Sequence, residues 1–334
     1  MVIEGAMGND SKNRRMRKTL TIVLVLCYTI AFGQTDSVKN LISDQLEIAI
    51  KDLKAGKSRY TPELNKLLTA NPEFSYSALK NVARDSNDFV LEGILNYSTM
   101  LKSSSEDSVF RQKITYDLLQ IYKQRKKPLN SYNTFDIPSE LSDLERSKAS
   151  DFNADARELL GELLQDSLIN KRILKVVGIA KMQDQIPELR KFLPEGERYR
   201  KPSNGRLYFL SWEWYARLAM ARLGDQEQIG YCVEKIESSE EDIMSNHHAA
   251  GDYFDDLIYI KQPEVLPFLF EMLISSNEFA GDPIYTTTYY ASNALYKLLE
   301  EFPHDPDVVK YSEKSLKNLE KWVRENKGNY EFKQ

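Results

Sequence analysis

Ile186-Pro187-Glu188-Leu189-Arg190-Lys191-Phe192-Leu193 places Ile186, Leu189, Arg190 and Leu193 at offsets 0, 3, 4 and 7. That spacing is one stripe of an α-helix. It returns at Ile229, Cys232, Val233 and Ile236, and again at Val265, Phe268, Leu269 and Met272. Eleven of these twelve positions are apolar, Arg190 being the exception. The stripes recur after 43 residues (229 − 186) and 36 residues (265 − 229), which is the period of stacked two-helix units. Such a stack builds an extended surface without requiring a catalytic centre.

Working outward, each stripe follows a separate helical stretch. Asn170–Met182 precedes the first, whose helix is capped by Asp184 and reaches Leu193. Leu207–Leu223 precedes the second, joined to it by Gly224-Asp225, and Asn246–Ile260 precedes the third, in Pro263–Ile274. A further helix starts at Asp282-Pro283 and runs to about Phe302, and Val308–Arg324 closes the series. Upstream, helices are expected over Val38–Leu53, Thr61–Leu68, Ser75–Arg84, Asp88–Leu101, Asp107–Lys123 and Ala154–Leu164. Pro62 suits the first turn of its helix, and Asn71-Pro72 interrupts the pattern. Residues 126–150, with Pro128, Asn130, Asn133 and Pro138, form the longest break and mark a loop or linker. No run alternates apolar and polar residues long enough to suggest a sheet.

The blocks Ile179-Ala180-Lys181-Met182-Gln183-Asp184, Ala221-Arg222-Leu223-Gly224-Asp225 and Ile258-Tyr259-Ile260-Lys261-Gln262-Pro263 resemble the inter-helix turns of HEAT repeats. The resemblance covers about half the chain, roughly residues 167–325. It implies an all-α fold: a right-handed superhelical α-solenoid of helix-turn-helix pairs, of the armadillo-like kind, following a helical N-terminal segment. It also implies that the second helix of each pair lines the concave side. The repeats differ in length, and the last pair (Val308, Tyr311, Ser312, Ser315) keeps the stripe poorly. A terminal unit has to cover the core with a polar face, so a departure there is expected. The expected organisation is a leader over 1–33, a helical segment over 35–125, the linker over 126–150, and repeats over 151–328.

The leader is read from Arg14, Arg15, Arg17 and Lys18, the apolar run Leu20–Phe32, and Ala31-Phe32-Gly33. A basic segment, a short apolar core and small residues at −3 and −1 make a secretory signal peptide, with cleavage after Gly33. The run falls short of the ~20 residues a permanent span wants. Met16 is the better start, which makes residues 1–15 an extension. Cys27 follows Leu26 rather than a small residue, which disfavours lipid attachment. The expectation is therefore an exported, periplasmic protein. A single cysteine, Cys232, remains after cleavage, so no intramolecular disulfide can hold the fold, and its stripe position reads as a small buried hydrophobe.

The whole chain carries a net charge of −5. Losing Lys12, Arg14, Arg15, Arg17 and Lys18 together with Glu4 and Asp10 takes it to −8. This balance argues against nucleic acid and does not favour an anionic membrane surface.

Chemistry is thinly signalled. His247 and His248 precede Asp252, Asp255 and Asp256, and His248 and Asp252 share a helix face. A hydrolytic metal site wants three protein ligands and an open position, and no third ligand stands out. His304, between two prolines, reads as a loop residue. Nucleophile-elbow, P-loop, H-E-x-x-H and C-x-x-C patterns are all missing from the sequence. Carboxylate pairs such as Asp255-Asp256 read as hydrated helix faces. Aromatic residues crowd two helices: Tyr208, Phe209, Trp212, Trp214 and Tyr215, then Tyr285, Tyr289 and Tyr290. Most belong to a core, but the adjacent Tyr289 and Tyr290 cannot face the same way, which makes Tyr285, Tyr289 and Tyr290 the candidate binding residues. The basic loop Arg198-Tyr199-Arg200-Lys201 reads as solvated.

The sequence thus points to a non-catalytic interaction or scaffold protein whose partner is another protein, with no cofactor and no metal. The alternatives are a metal-assisted hydrolase using His247, His248 and Asp252, and an assembly factor tethered by a retained Leu20–Phe32 segment.

Overall fold

The computed structural model describes residues 36–55, 62–83, 88–125, 137–167, 169–201, 205–239, 247–275, 278–279, 282–303, 313–326 and 328–333. The leader, residues 126–136 of the expected linker, and His304 lie outside these. Among the described residues the fold is helical apart from one two-stranded hairpin and an isolated bridge. No described helix is long and apolar enough to cross a membrane.

The chain divides into two compact units, residues 1–114 with 128–135, and residues 115–127 with 136–334. The first holds α1 (Asp36–Lys54), α2 (Pro62–Thr69), α3 (Pro72–Ala83) and α4 (Asp88–Ser104). Each of these helices contacts the other three, so this unit is a cluster about one centre built from Ile42, Leu68, Leu79, Leu95 and Leu101. Proline opens α2 and α3, where a missing N–H costs nothing. Helix α5 (Ser108–Arg125) is capped by Asp107, whose Oδ1 accepts from Val109 N at 2.9 Å. The division between the units falls within α5.

The second unit contains α6 (Ile137–Leu141), α7 (Ala154–Gln165), α8 (Arg172–Ile179), α9 (Ile186–Arg190), α10 (Trp212–Arg222), α11 (Gln226–Glu237), α12 (His247–Ile260), α13 (Leu266–Ser275), α14 (Thr287–Leu298) and α15 (Glu313–Glu325). Helix α8 packs on α10, α10 on α12, and α12 on α14. Between them, α9 and α11 lie against α10, α11 also touches α12, and α13 lies against α14. The stripes supply these contacts. Leu189 and Leu193, Ile229, Cys232 and Ile236, and Val265, Phe268, Leu269 and Met272 are all buried. Arg190, the polar member, is exposed and instead pairs with Asp225 at 2.6 Å, while Phe192 turns inward.

Among the described residues, five helices of this unit are followed by a residue in the left-handed region: Lys181 (φ 55°) after α8, Gly224 (91°) after α10, Lys261 (53°) after α12, Glu301 (54°) after α14 and Gly328 (85°) after α15. At the first two, the next N–H reaches back five residues, Met182 to Val177 O at 3.3 Å and Asp225 to Met220 O at 3.1 Å. This is the six-to-one closure of a Schellman motif, which satisfies carbonyls that the helix leaves open. The turns also bond to one another: Gln183 donates to Leu223 O at 3.4 Å and Gln262 to Arg222 O at 3.3 Å.

Several expectations need correction. The helix expected over Leu207–Leu223 is split, because Ser211 Oγ accepts from Trp214 N at 3.1 Å and starts α10 afresh, leaving 205–210 as a 3-10 turn. The helix expected to reach Leu193 stops at Arg190 and gives way to turns. Asp282-Pro283 does not open a helix: Asp282–Thr286 (β2) pairs antiparallel with Glu278–Phe279 (β1), and α14 starts at Thr287. The basic loop is anchored rather than free, since the Arg198 guanidinium donates to Leu164 O and to Asp166 O at 2.6 Å, closing the end of α7. At the C-terminus, Glu300 N bonds Glu331 O and Lys333 N bonds Leu298 O, both at 2.8 Å, so residues 331–333 cover the end of α14.

Candidate functional site

A buried ion pair lies where α8, α10 and α12 meet. Helix α12 carries Tyr253, Asp256, Leu257 and Ile260 on one buried face. Asp256 therefore occupies a core position, and its carboxylate has to be satisfied by protein groups. Lys175 Nζ of α8 donates to Oδ1 at 3.1 Å, and Trp214 Nε1 of α10 donates to Oδ2 at 2.7 Å. Lys175 also sits over the rings of Tyr259 at 4.5 Å and Tyr215 at 5.7 Å. Lys171, just before α8, lies 5.5 Å from the Tyr215 ring and donates to Leu210 O.

Glycine makes this junction close. A Cβ on Gly178 would come within 2.1 Å of Tyr259 Oη and 3.2 Å of Ala219 Cα. Only hydrogen at that position lets Tyr259 Oη reach Lys175 O at 2.6 Å.

Beside the pair opens a cleft of about 160 Å³, lined by Lys175, Phe209, Leu210, Tyr215, Asp252, Tyr253, Asp255 and Asp256. Phe209 meets Tyr253 edge-to-face at 4.5 Å and Trp214 at 4.7 Å, fixing the aromatic wall. Leu210, at 44% exposure, forms an apolar lip. Asp252 and Asp255 stand exposed on the opposite wall. Burial pushes the Asp256 carboxyl upward, against the opposing pull of Lys175 and Trp214. Asp255 is also raised, first by burial and then by the Asp256 charge, with Lys297 and Lys175 opposing. Small-molecule sites run to about 300–1,000 Å³, so this cleft has room for about five waters or one side chain.

A second buried network lies on the other side of α10. Glu213 Oε1 accepts from Arg217 Nε at 2.9 Å and Tyr208 Oη at 3.0 Å, Tyr208 and Tyr231 hydroxyls lie 2.9 Å apart, and Arg217 Nη1 donates to Gln228 Oε1 at 2.6 Å. Burial raises the Tyr208 phenol well above its usual value, reinforced by its bond to Tyr231. This network joins α10 to α11.

Of the candidate binding residues, Tyr289 and Tyr290 are half-buried at the start of α14, meeting edge-to-face at 5.3 Å. Tyr290 stacks on Phe254 of α12 at 5.9 Å and passes Gly251. Tyr285 lies on β2, and its side chain is outside the described part, as are those of His247 and His248. Asp252, the third residue of the hydrolase alternative, lines the cleft. Among the described residues no group of three or more His, Cys, Asp or Glu side chains could hold a metal ion. Cys232 is fully buried, and burial drives its thiol pKa up, with the Asp256 charge adding to it. The pair of Lys175 and Asp256 was not expected. Its signal in the sequence is an acid at the 0, 3, 4, 7 spacing of an otherwise apolar stripe, Tyr253, Asp256, Leu257 and Ile260.

No protein family matches the chain, and no curated protein or solved structure matches it.

Proposed function

We propose that the chain is an exported, non-catalytic interaction or scaffold protein built on HEAT-like helix pairs. The observation that carries this reading is the recurrence of one left-handed residue at the end of α8, α10, α12 and α14, with glutamines bonding successive turns. A left-handed residue repeated after successive helices supports repeated units rather than a singular core. A stack of helix pairs gives an extended face for a polypeptide partner. The cleft at the α8–α10–α12 junction favours the same reading, being small for a metabolite and sized for one protruding side chain.

The test is site-specific photocrosslinking in the native cell. A photoreactive residue at Leu210, Tyr289 or Tyr290 should give discrete adducts with a polypeptide of constant mass. The same group at exposed Lys321 of α15 should not. Equal adduct patterns at all four positions, or none at any, would count against a defined partner face. N-terminal sequencing of the mature protein tests export, with a start at Gln34 expected.

A further inference from the structure

We infer that the Lys175–Asp256 pair is a pH-sensitive catch between α8 and α12: protonation of Asp256 frees the Lys175 ammonium, which moves across the cleft to Asp252 and Asp255. The geometry supplies each part. Asp256 is the one carboxylate that receives both Lys175 and the Trp214 indole N–H, so its charge holds three helices together. Lys175 and Asp256 are separated by 81 residues in sequence, so the tie skips over α10 to link α8 with α12. Lys175 lines the same cleft as Asp252 and Asp255, and its charge already acts on the Asp255 carboxylate. A second carboxylate within electrostatic reach of the ammonium is what a switch requires.

The groups around Asp256 set the direction. From α8 it meets Lys175, with Lys171 beyond the Tyr215 ring. From α10 it meets Trp214, with Arg217 and Arg222 acting on the neighbouring Cys232 and Tyr259. From α11 it meets the Cys232 thiol, and along α12 itself lie Asp252, Asp255 and Tyr259. Lys297 of α14 acts on Asp255. Burial favours the neutral acid, Asp252 adds to this, and Lys175 with Trp214 opposes without cancelling it. Asp256 therefore takes up its proton, from solvent, above the ordinary aspartate range. The Trp214 N–H keeps the carbonyl oxygen of the neutral acid, while the ammonium loses its counter-charge and turns to the open wall.

Trp214 is the built-in reporter. In the full chain with Trp212→Phe and Trp322→Phe, its emission should change in one step between pH 7 and pH 4. The expected midpoint lies above the ordinary aspartate value of about 3.9. Far-UV circular dichroism should stay constant through that step. Asp256→Asn should abolish the step, and Lys175→Met should move the midpoint upward. Carboxyl ¹³C shifts in aspartate-labelled chain without Asp256→Asn report the protonation directly, so the test survives a variant that does not fold. Titration of Asp256 at or below about 3.9, persistence of the step in Asp256→Asn, or loss of helicity at the same midpoint would each overturn the inference.

Discussion

Replacing Gly178 with alanine should destabilise the protein, although alanine is the better helix former. On propensity alone the change would gain about 1 kcal/mol. The added Cβ, however, would lie 2.1 Å from Tyr259 Oη, far inside contact distance, and 3.2 Å from Ala219 Cα. Tyr259 is buried and its hydroxyl bonds Lys175 O at 2.6 Å, so its ring has to move and that bond is lost. A buried acceptor left open costs about 1–3 kcal/mol and overpacking about 1–3 kcal/mol more. After the propensity gain, a net loss of about 1–5 kcal/mol is expected. Tyr259→Phe removes the clashing oxygen, so Gly178→Ala in that background should be neutral within about 1 kcal/mol. The assay is a double-mutant cycle on urea midpoints followed by Trp214 emission, with the coupling expected near 2 kcal/mol. An equal cost of Gly178→Ala in both backgrounds would refute the account of this junction, as would a stabilising effect in the native background.

Three further outcomes are expected. Lys181→Gly and Lys261→Gly should each stabilise by about 0.5–1 kcal/mol, because a side chain in the left-handed region is strained, whereas Gly224→Ala should cost about 1 kcal/mol; urea midpoints of the three variants decide this. Cys232 should not react with a water-soluble thiol reagent in the native chain and should react fully once urea unfolds it, since it is buried and its thiol pKa is raised. Asp255 binds its proton more tightly when folded, so its contribution to stability is complete below about pH 3.9 and is lost as pH rises through the raised folded value. The urea midpoint of Asp255→Asn, relative to the native chain, should therefore rise as pH climbs from about 3.9, and a fall would contradict the sign.

The helical character and the buried stripes were legible because burial of one helix face imposes a period that survives in the residue order. Ile229, Cys232 and Ile236 needed no tertiary information to be placed in the core. Element ends were less legible. Apolar residues continue on both sides of Ser211, so periodicity runs through the cap that divides 205–210 from α10. The hairpin at 278–286 is too short to show alternation. The candidate site was hidden for a different reason. Lys175 and Asp256 each resemble a solvated charge, and only the packing of α8 on α10 and α10 on α12 brings them to 3.1 Å. Asp256, Glu213 and Arg217 do sit on otherwise buried helix faces, and a charge in such a position demands a partner. The basic loop misled because Arg198 looks soluble, whereas its donors serve the open carbonyls at the end of α7.

The central claim, that the second unit is a succession of like helix pairs, is tested most directly by spin-label distances in the full chain with Cys27→Ala and Cys232→Ala. Labels at Lys181 paired in turn with Gly224, Lys261 and Glu301 mark the ends of α8, α10, α12 and α14. Stacked units predict mean distances that lengthen in order, by about 8–10 Å for each helix passed. Three distances that coincide, or that rise out of order, would contradict it.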